Sequence, residues 1–328
     1  MKNQTSFLFL LCFCLFIFAC SETKNDTSAT NNNEVKLDKT AVLEYQIKTL
    51  LGEGAFWHYG RNKLYWVDIE ARQVHIYDPK KRINKSYQTP SMVGTIVPTT
   101  RGNVLVALQD GIYKLNLKTG QYDLFSNVEA DITTNRFNDG KCDPAGRLWV
   151  GSMALDQKEY EANLYRIDGT GKAILMKDSI TISNGIVWTK DEKTMYYIDT
   201  PTGQIKAYDY DRTTGDIKNE RVAVEVPTSL GFPDGMAIDE NDHLWVGLWN
   251  GNAIAHFDPI TGELVSKIEV PAHNVTSCAF GGKKLDTLYI TTSSLDMTPE
   301  EKEKYPLAGS LFKAVPGVKG ARSKVFDE

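Results

Sequence analysis

The chain lacks most of the features that mark the common function classes. It has 42 acidic against 37 basic residues, a net charge of −5, and neither a basic cluster nor aromatic residues interleaved with basic ones, so nothing points to nucleic acid as a partner. There is no Gly-x-Ser-x-Gly elbow, no HExxH motif and no phosphate-cradling glycine loop. The five histidines, at 58, 75, 243, 256 and 273, are scattered. Cysteine is scarce: of five, Cys12, Cys14 and Cys20 belong to the N-terminal segment, which leaves Cys142 and Cys278. Two thiols so far apart are no disulfide framework and read as buried free cysteines, with a single bridge as the alternative.

Long apolar runs are also missing, with one exception. Lys2 precedes the run Phe7 to Ala19, which is short for a membrane span and the right length for a signal-peptide core. It ends Phe18-Ala19-Cys20, and a small residue directly before cysteine resembles a bacterial lipoprotein processing site, although Phe18 departs from the usual small residue. Residues 1–20 are therefore read as a lipoprotein-type signal peptide with Cys20 as the lipidation site; an ordinary signal peptide with a chance cysteine is the alternative. The polar, aperiodic stretch 21–37 reads as a disordered linker. On this reading the chain is an exported bacterial lipoprotein, on the periplasmic side or the cell surface, that meets the membrane only through its lipid anchor.

From about Asp38 onward helical periodicity is nearly absent. Short strands rich in Tyr, Trp, Val and Ile alternate with Gly, Asn, Asp and Pro turns, the pattern of an all-β protein. The pattern repeats. LYWVD at Leu64, VLVAL at Val104, LWVGS at Leu148, MYYID at Met195, LWVGL at Leu244 and LYITT at Leu288 are spaced by 40, 44, 47, 49 and 44 residues. Each is followed by a turn and another strand ending in an apolar-aromatic pair. Six such copies, each with about four strands, predict a six-bladed β-propeller over residues 38–328; a β-sandwich or two smaller β domains is the alternative. The segment VLEYQIKT at Val42 precedes the first full copy and is expected to lend the last blade a strand and close the ring.

Aligned copies place polar residues in one register. Counting back 10 or 11 positions from each anchor gives Glu53, Asn138, Asn184, Asp234 and Ser277, and the apolar Val93 in the second copy. This puts them in the turn before the blade's first strand, at one end of the channel. A glycine just after several of them suggests a tight backbone and close approach of a ligand. Two carboxylates and two amides converging on one spot need a cation or a proton to relieve repulsion. Hard oxygen donors suit Ca²⁺, Mg²⁺ or Mn²⁺. Asn and Asp before Gly are equally ordinary turn residues, and only the shared register favours the metal. Arg136, two residues before Asn138 and so on the same face, is placed to hold a substrate carboxylate or hydroxyl. Trp66, Trp149, Trp188, Trp245 and Trp249 are expected between blades, Trp249 alternatively on a pocket floor. The run PEEKEKYP at Pro299 reads as a solvated loop.

The motifs GEGAFW at Gly52, RFNDGKCDPAGRLWVGSM at Arg136, ISNGIVW at Ile182, FPDGMAID at Phe232, LWVGLWNG at Leu244 and TSCAFGG at Thr276 together resemble the SMP-30/gluconolactonase/LRE family. The resemblance covers about Glu44 to Ala321. It implies a six-bladed propeller with a divalent metal at the central channel, calcium first, with magnesium, manganese or zinc as alternatives. It implies Glu53, Asn184 and Asp234 as metal ligands and Arg136 and Asn138 on the substrate side, with Asp156 the nearest match to a further substrate-touching acid. The activity implied is opening of the ester ring of a sugar lactone by water, Asp234 assisting as base. A non-enzymatic sugar-binding propeller with a structural ion, or a hydrolase of another ester or organophosphate, are the competing readings.

Overall fold

A lone four-stranded sheet with two apolar faces cannot bury both, and six of them in a ring can. The computed structural model describes residues 39–328; the expected signal segment, Cys20 and the expected linker lie outside the described residues. It contains six four-stranded antiparallel sheets. The innermost strands are Gly52–His58, Val93–Pro98, Asn135–Cys142, Ser183–Trp188, Phe232–Ile238 and Asn274–Gly281 for blades 1 to 6. They meet in chain order, and the sixth returns to the first. The all-β, six-bladed propeller expected from the repeat is the observed fold.

Each Leu-Trp-Val-Gly-type segment is the second strand of its blade, buried on both faces because neighbouring blades cover it. Trp66, Trp149 and Trp245 are almost fully buried there. Trp149 meets Trp188 and Tyr210 edge-on, with ring centroids 5.8 and 6.4 Å away. The buried indole N–H groups of Trp149 and Trp245 donate to Asp143 and Asp239, each at 3.0 Å, which removes the cost of burying them unpaired. Cys142 and Cys278 are both buried and free.

The ring is closed twice. Val42–Tyr45 pairs antiparallel with Leu311–Ala314, so the sixth blade takes its outermost strand from the start of the propeller, as the sequence implied. The C-terminal tail adds a second tie across the other end of the channel. Ala321 N–H donates to Ile238 of blade 5 at 3.0 Å and Phe326 N–H to Pro98 of blade 2 at 2.8 Å, with the Phe326 ring fully buried. One expectation is corrected: the PEEKEKYP run contains the helix Pro299–Lys304 rather than only a loop. Thr298 Oγ1 accepts from Glu301 N–H at 3.2 Å and Glu301 returns a carboxylate to Thr298 N–H at 2.8 Å, a capping box with Pro299 in the first turn. No helix among the described residues is long and apolar enough to cross a membrane.

Candidate functional site at the channel mouth

The polar residues placed in register by the repeat lie inside the innermost strands, not in the turns before them. Every innermost strand breaks its pairing near its start. The shift falls between Glu53 and Phe56, Val93 and Thr95, Phe137 and Gly140, Ser183 and Ile186, Pro233 and Met236, and Val275 and Cys278. A bulge re-aims the side chains it carries. Asn138, Asn184 and Asp234 are themselves bulged residues, and Glu53 is the last paired residue before its bulge. Two of the glycines that follow, Gly185 and Gly235, make room for the neighbouring blade, while Gly54 takes a positive φ of 61°. A Cβ on Gly185 would lie 2.9 Å from the Asp234 carbonyl oxygen, and one on Gly235 would lie 2.6 Å from Ser277 Oγ.

Glu53, Arg136, Asn138, Asn184 and Asp234 line one cavity of about 630 Å³ at the end of the channel where the inner strands begin. All five are less than a tenth exposed. Arg136 must donate, and that fixes every amide downstream. Its Nη1 donates to Asn138 Oδ1 at 2.7 Å, so Asn138 Nδ2 faces the other way and donates to Ser183 O at 2.8 Å and to Asn184 Oδ1 at 3.0 Å. Asn184 Nδ2 then donates to Thr200 Oγ1 at 2.7 Å, and Thr200 Oγ1 donates to Pro233 O at 2.7 Å, beside Asp234. One directed relay thus spans blades 3, 4 and 5. It leaves a lone pair on Asn184 Oδ1 and one on Asn138 Oδ1, and both Asn138 amide hydrogens are spent inside the protein. Among the described residues, only Nη1 of Arg136 has a partner, and Phe137 O shares it at 3.0 Å.

The electrostatics of the mouth are unresolved by protein groups alone. Burial is the first cause holding the Glu53 and Asp234 carboxyls above the ordinary range; Asp139 and, for Asp234, Glu53 itself add like-charge repulsion. Arg136 is the nearby counter-charge for both, and its own affinity for a proton is lowered by burial. Two paired carboxyls with an aimed amide oxygen form an all-oxygen donor set of the kind a hard divalent cation takes, so the residues present fit such an ion: Glu53, Asp234 and Asn184 Oδ1 would hold it.

The structure does not bring Asp156 to the cavity. It is exposed and accepts from Lys158 N–H at 3.1 Å, while its neighbours Leu155 and Gln157 line the wall. Gln157 has a positive φ of 58°, which turns the loop and reverses the facing of adjacent residues. Trp249 does line the cavity, as the alternative raised for it had it, but as part of the wall rather than the floor. Five polar contributors escaped the sequence reading: Glu70, Thr200, Asn250, Gln157 and Asp296. The first three lie five or six residues after the anchors Leu64, Met195 and Leu244, just past the second strands, so the same counting carried forward would have found them. Glu70 is the carboxylate with the largest influence on Arg136. The walls above the polar floor are apolar, from Met92, Met153, Ile182, Phe232 and Trp249. A second cavity of about 410 Å³, at the opposite end of the channel, contains none of these residues.

Comparison with known proteins bears on the family and the fold. Residues 51–294 match the pattern described as the SMP-30/Gluconolactonase/LRE-like region. A Bacillus subtilis protein named "Putative sugar lactone lactonase YvrE" is 40% identical over 274 residues, covering 84% of this chain and 94% of its own length. Regucalcin of Danio rerio is 35% identical over 277 residues, covering 83% of this chain and 93% of its own. The crystal structure of a calcium-binding protein, regucalcin, from Agrobacterium tumefaciens superposes with a TM-score of 0.84 at 25% identity, covering 88% of this chain and 97% of that one.

Proposed function

This chain belongs to the SMP-30/gluconolactonase/LRE-like family, and from that membership and the channel mouth we propose that it is a metal-dependent hydrolase that opens the ester ring of a sugar lactone. The observation that carries the reading is the convergence of two buried carboxylates, an oriented amide oxygen and a buried guanidinium on one cavity. A bound divalent cation, calcium first, would supply counter-charge for the carboxylates and polarise an ester carbonyl as a Lewis acid.

The chain's own groups do the rest. Asp234 is the carboxylate assigned to take a proton from the attacking water and return it to the ring oxygen as the acyl–oxygen bond breaks. The products are the open-chain acid and its hydroxyl. Arg136 presents its unspent nitrogens to the substrate's hydroxyls or carbonyl oxygen, and Asn138 offers its remaining lone pair while holding Arg136 and Asn184 in place. The apolar walls reduce water access around the floor, which strengthens each polar contact made there. If residues 1–20 are processed as a lipoprotein signal, the enzyme works outside the cytoplasm on a lipid tether at Cys20.

The test is hydrolysis of a panel of aldonolactones, alkyl lactones, simple esters and organophosphates by wild type and by Asp234→Ala. The proposal expects aldonolactone turnover that Asp234→Ala loses while the propeller stays folded. Wild-type-like turnover by that variant would remove Asp234 from the mechanism. Sugar binding without turnover of any of these substrates would favour a binding propeller instead.

A further inference from the structure

Two of the five histidines, unremarkable in the sequence, meet in blade 5 at the end opposite the channel mouth. Asp239 directly follows the innermost strand Phe232–Ile238, His243 sits on the turn after it, and His256 lies on the third strand, Ala253–Phe257, opposite Trp245. His243 Nδ1 and His256 Nε2 share a hydrogen bond of 3.0 Å, whose proton a cation would replace, and Asp239 Oδ2 lies 3.8 Å from the same Nε2. One ligand atom from each of the three falls within 4.8 Å of the others. Around a tetrahedral zinc ion, bonds of about 2.0–2.1 Å put neighbouring donors roughly 3.3 Å apart; the 3.0 and 3.8 Å separations are close to that, and the remaining pair, within 4.8 Å, would close around the ion.

Blade 3 shows which part of this arrangement is scaffold. There Asp143 also accepts a tryptophan indole N–H, from Trp149 at 3.0 Å, and also caps its own turn through the N–H groups of Ala145 and Arg147. The positions of His243 and His256 are taken by Arg147 and Arg166, the latter paired opposite Trp149 as His256 is opposite Trp245. Arg147 Nε closes on Asp143 Oδ2 at 2.7 Å, and Arg166 reaches Asp216 at 3.3 Å. The Asp–Trp frame is therefore a structural device, and it needs no ion. What differs in blade 5 is the pair of residues on the frame. Guanidiniums cannot ligate a cation; two imidazoles aimed at each other can.

The surroundings suit a ligand role. His256 Nδ1 is tied to Ser266 Oγ at 3.0 Å, which leaves Nε2 as the inward nitrogen. Asp239 Oδ1 is fixed by Asn241 and His243 N–H groups at 2.8 and 3.1 Å, and Oδ2 by Trp245 Nε1 at 3.0 Å. His256 stacks on Trp245 at 4.1 Å between centroids. Asp258 adds negative potential at His256. His243 is partly exposed and gives an ion a way in.

We infer that Asp239, His243 and His256 form a second cation site, of two nitrogens and one oxygen with an open position for water, that takes a borderline divalent ion of the zinc type. Its chemistry separates it from the all-oxygen mouth, since imidazole favours zinc, copper or nickel over calcium. It does not rest on the lactonase reading.

The test uses the full-length protein with Ca²⁺ in excess and titrates Zn²⁺ calorimetrically into wild type, His243→Gln and Asp234→Ala. One Zn²⁺ should bind to wild type and to Asp234→Ala. His243→Gln should weaken that binding at least ~100-fold, since even outer-shell partners of a metal ligand are worth about 10–100-fold. Zn²⁺ binding of undiminished affinity in His243→Gln, or no uptake by wild type, would overturn the site. Nitrogen NMR of the unmodified protein gives a second readout: Zn²⁺ must move the Nδ1 resonance of His243 and the Nε2 resonance of His256 together, and their standing still refutes the proposal.

Discussion

Replacing Asn138 by alanine cuts the relay at its branch point, and the structure sets the size of the effect. Arg136 loses its 2.7 Å acceptor while remaining buried, and Ser183 O and Asn184 Oδ1 each lose a donor. A hydrogen bond to a charged group is worth about 1.5–3 kcal/mol and a neutral one about 1 kcal/mol, so the loss should total about 3–5 kcal/mol. For a propeller of about 290 residues, with roughly 2 cal/mol/K of unfolding entropy per residue, that lowers Tm by about 5–8 °C. Freed from Asn138, both Arg136 and Asn184 lose their fixed orientation. If about 2–3 kcal/mol of transition-state positioning goes with them, kcat/KM for the preferred lactone falls about 30- to 150-fold. Calorimetric melting and steady-state hydrolysis measure the two effects on the same preparation. A Tm within ~1 °C of wild type would show that the relay does not carry the load assigned to it. A normal kcat/KM in a destabilised protein would make the relay structural only.

Three further outcomes follow from the mouth. Without metal, folded Glu53 and Asp234 bind protons that the unfolded chain has already released above the ordinary carboxylate range of about 4. Stability of the chelated protein should therefore fall as pH rises from about 4 toward neutrality, whereas added Ca²⁺ should stabilise more as pH rises, because it needs both groups ionised; melting curves against pH with and without the ion check both signs. Asp156→Ala should leave kcat/KM within about twofold, because the side chain is exposed and engaged by Lys158, whereas Gln157→Ala should raise KM. Trp249→Ala removes an apolar wall and should raise KM about tenfold while costing little in Tm, because Trp249 is only partly buried.

The architecture was readable because each blade repeats a strand whose two faces are both buried, and such a strand is apolar at nearly every position, as in Leu64 to Asp68 and Leu244 to Trp249. The register of Glu53, Asn138, Asn184 and Asp234 was readable for the same reason. Their true setting was not, because a β-bulge leaves no compositional mark beyond a glycine, and glycine also marks turns. Asp156 lies off the cavity for a related cause: one residue of positive φ at Gln157 decides which side chains of the loop face inward. The helix Pro299–Lys304 did carry a signal, Thr298 with Glu301 three residues on, which the density of charge around it obscured. His243 and His256 are thirteen positions apart, and only the pairing of the second and third strands of blade 5 puts them in contact.

The central claim is that the two buried carboxylates hold a divalent ion on which lactone opening depends. The direct measurement is aldonolactone hydrolysis by the full-length protein before chelation, after exhaustive chelation, and after Ca²⁺ is returned. The account predicts turnover that vanishes on chelation and recovers with the ion, in parallel with a rise in Tm. Hydrolysis that persists in the chelated protein at the original rate would contradict it.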